Sequence, residues 1–152
     1  MSQLVYKADL LGQIRRVVVK VGSAVLSDAA GLRRGVIQRL SGDIDHLIGR
    51  GHQVVVVTSG AIAAGRARLS VPLNATITIR QAAAAAGQIA LMTEYAQAFA
   101  SHQHNIGQIL LTHSDLAEPK RRNNARHTIE TLLAHGIIPI INENDTVAVE
   151  EI

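Results

Sequence analysis

Two hydrophobic patterns alternate along this chain: short apolar runs without polar breaks, and longer stretches at helical spacing. Arg16 to Val21, "RVVVKV", is a β-branched run closed by Gly22 and predicts a buried strand. From Arg33 to Arg50 the apolar positions Val36, Ile37, Leu40, Ile44, Leu47 and Ile48 repeat as one helix face does, and Gly51 stands where a helix ends. "QVVVVTSG", Gln53 to Gly60, shows no alternation at all, the mark of a strand covered on both faces. Past Pro72, "TIRQAAAAAGQIALMTEYAQAFAS" predicts a long helix, with Thr78 and Gln81 at capping-box spacing at its start. "NIGQILLT", Asn105 to Thr112, reads as a third strand. Arg122 to His135 reads as a helix with Ile129, Leu132 and Leu133 on one face, and "IIPII" after Gly136 as a fourth strand.

Strands alternating with helices predict a three-layer αβα sandwich around a mainly parallel sheet. No repeat, low-complexity stretch or linker interrupts the 152 residues. Hydrophobic residues are 47% of the chain and aromatic ones 2%, so the core must be built from Val, Ile, Leu and Ala. The absence of cysteine excludes disulfides, thiolate metal sites and Cys nucleophiles. No apolar stretch reaches the roughly 18–20 residues that span a bilayer, and the N-terminus lacks the layout of a signal peptide. The expectation is a soluble cytoplasmic protein with no membrane partner. The net charge of +3 gathers only in "KRRNNARH", Lys120 to His127, which reads as a solvated helix start. Without a wider basic face or stacking aromatics, no nucleic-acid partner is expected. The seven histidines are scattered, and no metal site is expected.

Ligands of such sheets bind beyond the carboxyl ends of the strands, so the four strand ends hold the candidate chemistry. After the first comes "KVGS": Lys20, Gly22 and Ser23 suit phosphate oxygens, although a lysine on an edge strand can also snorkel to water. After the second comes "TSGAIAAG", where Ser59, Gly60 and Ala61 open a helix whose N-terminus suits an anion; an ordinary tight turn would read the same. This is neither a Walker A loop nor a G-x-S-x-G elbow nor a dinucleotide fingerprint. After the fourth, Asn142, Asn144 and Asp145 could hold an ammonium group or form a solvated turn. After the third, Thr112, Ser114 and Asp115 read as helix-capping residues. The residues sketch a phosphate cradle beside a pocket for a small zwitterion, hence phosphoryl transfer to an amino acid.

The stretches "VVVKVGSAVL", "VVVVTSGAIAAGRARL", "GQILLT" and "NNARHTIETLLAHGIIPIINENDTVAVEEI" resemble the glutamate 5-kinases, a branch of the amino acid kinase family, from about Arg16 to Ile152. The resemblance implies ATP-dependent phosphorylation of the γ-carboxylate of L-glutamate, the first step of proline biosynthesis. It implies that Lys20 meets the transferred phosphate as the catalytic residue, with Gly22 and Ser23 beside it. It places Ser59, Gly60, Ala61, Asn142 and Asp145 around glutamate. ATP and Mg²⁺ are the implied cofactors, the ion held mainly by substrate phosphates. Proline is the implied feedback inhibitor, and a homo-oligomer the implied assembly. Family members continue with a further loop, a nucleotide-binding half and in many cases a PUA domain. The expectation is therefore that residues 1–152 are the N-terminal, substrate-binding part of the kinase domain, incomplete at its C-terminal side and inactive alone. The alternatives are another amino acid kinase, or a non-catalytic glutamate- or proline-binding module.

Overall fold

The structure, a computed structural model, describes residues 14–28, 31–69, 71–72 and 75–148, apart from the side chain of Ala67. Val149 to Ile152, the end of the stretch carrying the resemblance, lie outside the described residues. The elements run β1 (Arg16–Lys20), α1 (Ser23–Leu26), β2 (Ser27–Asp28), β3 (Gly31–Leu32), α2 (Arg34–Gly49), β4 (Gln53–Val57), α3 (Ala61–Leu69), α4 (Ile77–Ala100), β5 (Asn105–Leu111), α5 (His113–Ala117), α6 (Pro119–Ala134) and β6 (Ile137–Glu143). Four strands pair in the order β1-β4-β6-β5, each pair parallel. The short β2 and β3 form a separate antiparallel ribbon that no periodicity announced.

Helices cover both faces. On one, Ile37 and Ile44 of α2 and Leu91, Tyr95 and Phe99 of α4 pack with Val54, Val56, Ile138 and Ile140 of the sheet. On the other, α6 lies close enough to β5 that a Cβ on Gly107 would stand 2.8 Å from a methyl of Leu132. The central strand β4 is buried through Val54, Val55 and Val56, as its unbroken valine run requires.

Two expectations fail. β1 is an edge of the described sheet and alternates, with Val18 62% exposed, so it is not a strand buried on both faces. A valine run gives the strand but not its place in the sheet. The long helix begins at Ile77 with Thr76 as N-cap and no side-chain cap bond, so Thr78 and Gln81 form no capping box. Gln81 instead donates its side-chain amide to the carbonyl of Ala148, 3.3 Å away. Tertiary reach outcompetes the local cap. The fourth strand is also longer than "IIPII", running through Asn142 and Glu143.

Candidate active site

The register lines the four turns up along one edge. Lys20 lies opposite Val57, Val57 opposite Ile141, Leu110 opposite Asn142 and Leu111 opposite Glu143. Strands are about 4.8 Å apart, so the Lys20 strand lies roughly 10 Å from that of Asn142, with the Thr58–Gly60 turn between them. The chain leaves β4 toward the helices of one face and leaves β5 toward α6 on the other. The end of β6 therefore opens at a switch point, the crevice where α/β sheets take ligands.

Lys20 is the last residue of β1 and exposed; Gly22 and Ser23 follow it, also exposed. Gly22 has an ordinary φ of −78°, and a Cβ there would meet nothing within 4 Å. Any need for glycine at this position would come from a bound group rather than from the fold. Gly60 is different: its φ of +102° lies where side-chain-bearing residues are strained. That turn brings Ser59, half-buried, to the edge and starts α3 at Ala61, which is buried. Beneath it Thr58 is buried, its hydroxyl 2.9 Å from that of Tyr95 on α4. Burial pushes the Tyr95 phenol above its usual range, only partly offset by the Thr58 bond, so it stays protonated.

α3 and α4 touch backbone to backbone. A methyl on Gly87 would land on the carbonyl oxygen of Ala61, and one on Gly65 on that of Ala83. The start of α3 is therefore held against α4 at a distance only glycine permits.

Asn142, 4% exposed, donates its amide to the side-chain oxygen of Gln88 on α4, 2.8 Å away. The chain then turns: the Asn144 amide donates to Leu111, and the Asn144 carbonyl accepts from the amides of Val147 and Ala148. The Thr146 hydroxyl donates to the Asn144 side-chain oxygen at 2.6 Å, fixing the turn in which Asp145 sits half-buried.

The end of β5 behaves as a helix start. Thr112 and Asp115 form a reciprocal capping box at α5, and Glu118 accepts from the amides of Lys120 and Arg121 at the start of α6. Hydrogen bonds from the Thr112 side chain and backbone, then Arg121, hold the Asp115 carboxyl below its usual value. The amides of Lys120 and Arg121 do the same for Glu118. These caps also form one wall of a cleft of about 640 Å³, with Glu143, Asn144, Val147 and Ala148 opposite Thr112, Ser114, Asp115 and Arg121. Neither Lys20 nor Ser59 lines it.

The structure thus brings Ser59, Gly60, Ala61, Asn142 and Asp145 onto neighbouring strand ends, with Lys20, Gly22 and Ser23 at the outer one. Sequence reasoning missed Tyr95, Gln88 and Gly87. One signal existed: a lone glycine inside "AAAAAGQIALM" costs helix stability and so implies a packing reason. Among the described residues no three His, Cys, Asp or Glu side chains could hold a metal ion, and no helix is long and apolar enough to cross a membrane.

Residues 15–152 match the description "Amino acid kinase family". The chain is 53% identical over 148 residues to the glutamate 5-kinase of Pelobacter propionicus, covering 96% of this chain and 40% of that protein. It is 54% identical over 144 residues to the glutamate 5-kinase of Brucella anthropi, covering 93% and 38%. It thus spans about 40% of the length of the curated relatives it matches. Among solved structures, a UMP kinase from Bacillus anthracis superposes with a TM-score of 0.55 at 19% identity, over 84% of this chain and 52% of that one. At that identity the likeness speaks for the fold.

Proposed function

This chain belongs to the amino acid kinase family, and on that premise we propose that it is the acceptor-holding part of a glutamate 5-kinase. Such an enzyme transfers the γ-phosphoryl group of ATP to the γ-carboxylate of L-glutamate. The observation that carries the reading is the adjacency of the Ser59–Ala61 turn and the Asn142–Asp145 turn at the switch point, with the Lys20 turn on the next strand. The names of relatives about half identical over nearly the whole chain support it. In this reading residues outside the chain supply most of the nucleotide site, in keeping with the 40% coverage of those relatives.

The chemistry asks for positioning and charge neutralisation more than for proton transfer. A γ-carboxylate oxygen attacks the γ-phosphorus in line, the bond from phosphorus to the bridging oxygen breaks, and ADP leaves with the electron pair. The carboxylate is already ionised near neutral pH, so no general base is required. Asp145 supplies the negative charge that meets the α-ammonium, with Asn142 beside it. The Ser59 hydroxyl and the amides at Gly60 and Ala61, at the positive end of α3, orient carboxylate oxygens. The Lys20 ammonium, with the backbone of Gly22 and Ser23, offsets charge on the transferring phosphoryl group. In this reading Mg²⁺ is held mainly by the phosphate oxygens it travels with. Proline as feedback inhibitor, a homo-oligomeric assembly and a cytoplasmic setting belong to the same proposal.

Two substitutions in the full-length protein separate the roles. Lys20→Met lowers kcat by about 10²-fold or more while leaving the KM for glutamate nearly unchanged. Asp145→Asn raises the KM for glutamate by about tenfold or more, because a charged partner is lost. Normal kinetics in both variants would overturn the assignment.

A further inference from the structure

Helix α4 reaches the Asn142–Ala148 turn twice from one side. Gln88 accepts from Asn142 at the turn's beginning, and Gln81, two helical turns earlier on the same face, donates to the Ala148 carbonyl at its end. The same helix holds the neighbouring turn through Tyr95 on Thr58 and through the Gly87 approach to Ala61. Of these contacts the Gln88–Asn142 pair alone sets the polarity of a side chain that the proposed function assigns to the substrate. An amide presents one acceptor and one two-donor end, which diverge from a single carbon. With one N–H of the Asn142 amide donated to Gln88, its carbonyl oxygen diverges from that bond. An acceptor so directed suits an ammonium group and not a carboxylate. The other end of the Gln88 amide, its nitrogen, is buried and meets no partner among the described residues. A buried donor left unmet costs about 1–3 kcal/mol, so this glutamine calls for a reason beyond packing.

We propose that Gln88 is a positioning residue of the acceptor pocket, acting through Asn142 by fixing which end of that amide meets the substrate's α-ammonium. The proposal rests on the glutamate kinase reading and deepens it. Neither glutamine adjoins the motifs in sequence, since Gln88 stands 54 residues before Asn142.

The test is a double-mutant cycle in the full-length protein, read as KM for glutamate, KM for ATP, kcat and melting temperature. Wild-type turnover of glutamate comes first; its absence would defeat the kinase reading and not the role of Gln88 within it. Given turnover, Gln88→Met is expected to raise the KM for glutamate by about tenfold and leave that for ATP within about twofold. Added to Asn142→Ala, it is expected to cost no more than Asn142→Ala alone, because the two act as one unit. Gln88→Glu keeps the shape and the accepting oxygen, and is expected to hold the KM for glutamate within about threefold of wild type. It also answers the question should the methionine variant fail to fold. Additive losses in the double variant, an unchanged glutamate KM in Gln88→Met, or equal rises in both KM values would each overturn the proposal.

Discussion

Gly87 shows how a single hydrogen atom places the turn that ends at Ala61. On propensity alone, alanine would favour the α4 interior by about 1 kcal/mol over glycine. The methyl group would, however, strike the Ala61 carbonyl, which is backbone and cannot swing aside. Overpacking of this kind costs about 1–3 kcal/mol, so the clash wins. Gly87→Ala is expected to lower the chemical-denaturation midpoint and to displace the start of α3. A stabilised variant would show that the two helices are not held as closely as described. Tyr95→Phe tests the same support more gently. It removes one of two partners of the buried Thr58 hydroxyl, which also donates to the Ser59 carbonyl at 3.3 Å, with an expected loss of about 1 kcal/mol in denaturant melts; no change would mean that the Tyr95–Thr58 bond carries no weight.

At the scale of elements, the ends of α5 and α6 carry the clearest electrostatics. Asp115 and Glu118 both have carboxyls held below their usual values. A depressed folded value means that the stabilisation is fully present above the unfolded carboxylate pKa, about 4, and is lost as pH falls through the folded value. Carboxyl NMR titration is expected to place both midpoints below those of an unfolded peptide. Thr112→Ala, which removes the hydroxyl that lowers the Asp115 value most, is expected to raise the Asp115 midpoint and weaken the helix cap by about 1 kcal/mol. An unmoved midpoint would contradict the capping box. The elements themselves were largely readable, because a run such as "QVVVVT" and a helical repeat such as Ile37, Leu40, Ile44 have distinct periods. What was not readable depended on partners far along the chain. Nothing in "RVVVKV" says that β1 stands at an edge. Nothing near Gln81 says that it leaves a capping position for Ala148, 67 residues away.

The whole molecule is a parallel sheet whose four carboxyl ends gather chemistry from turns separated by up to about 120 residues of chain, from Lys20 to Asp145. The turns were legible because glycine, serine, asparagine and aspartate after an apolar run mark a strand end. Their lateral order was not, since β6 enters the sheet between β4 and β5 and so lies beside β4 despite 79 intervening residues between Val57 and Ile137. That insertion sets the Asn142 turn beside the Ser59 turn. The supports Gln88, half-buried, and Tyr95, buried, were invisible for the same reason: they belong to a helix that reaches these turns from the core side.

The proposal that these adjacent turns hold glutamate for phosphorylation has a direct assay. It is tested most directly by offering the full-length protein ATP and Mg²⁺ with L-glutamate, L-aspartate or UMP, and trapping any acyl phosphate with hydroxylamine. The expected products are a γ-hydroxamate from glutamate and ADP in equal amount, with little turnover of the other two. ADP formation with aspartate or UMP, and none with glutamate, would contradict it.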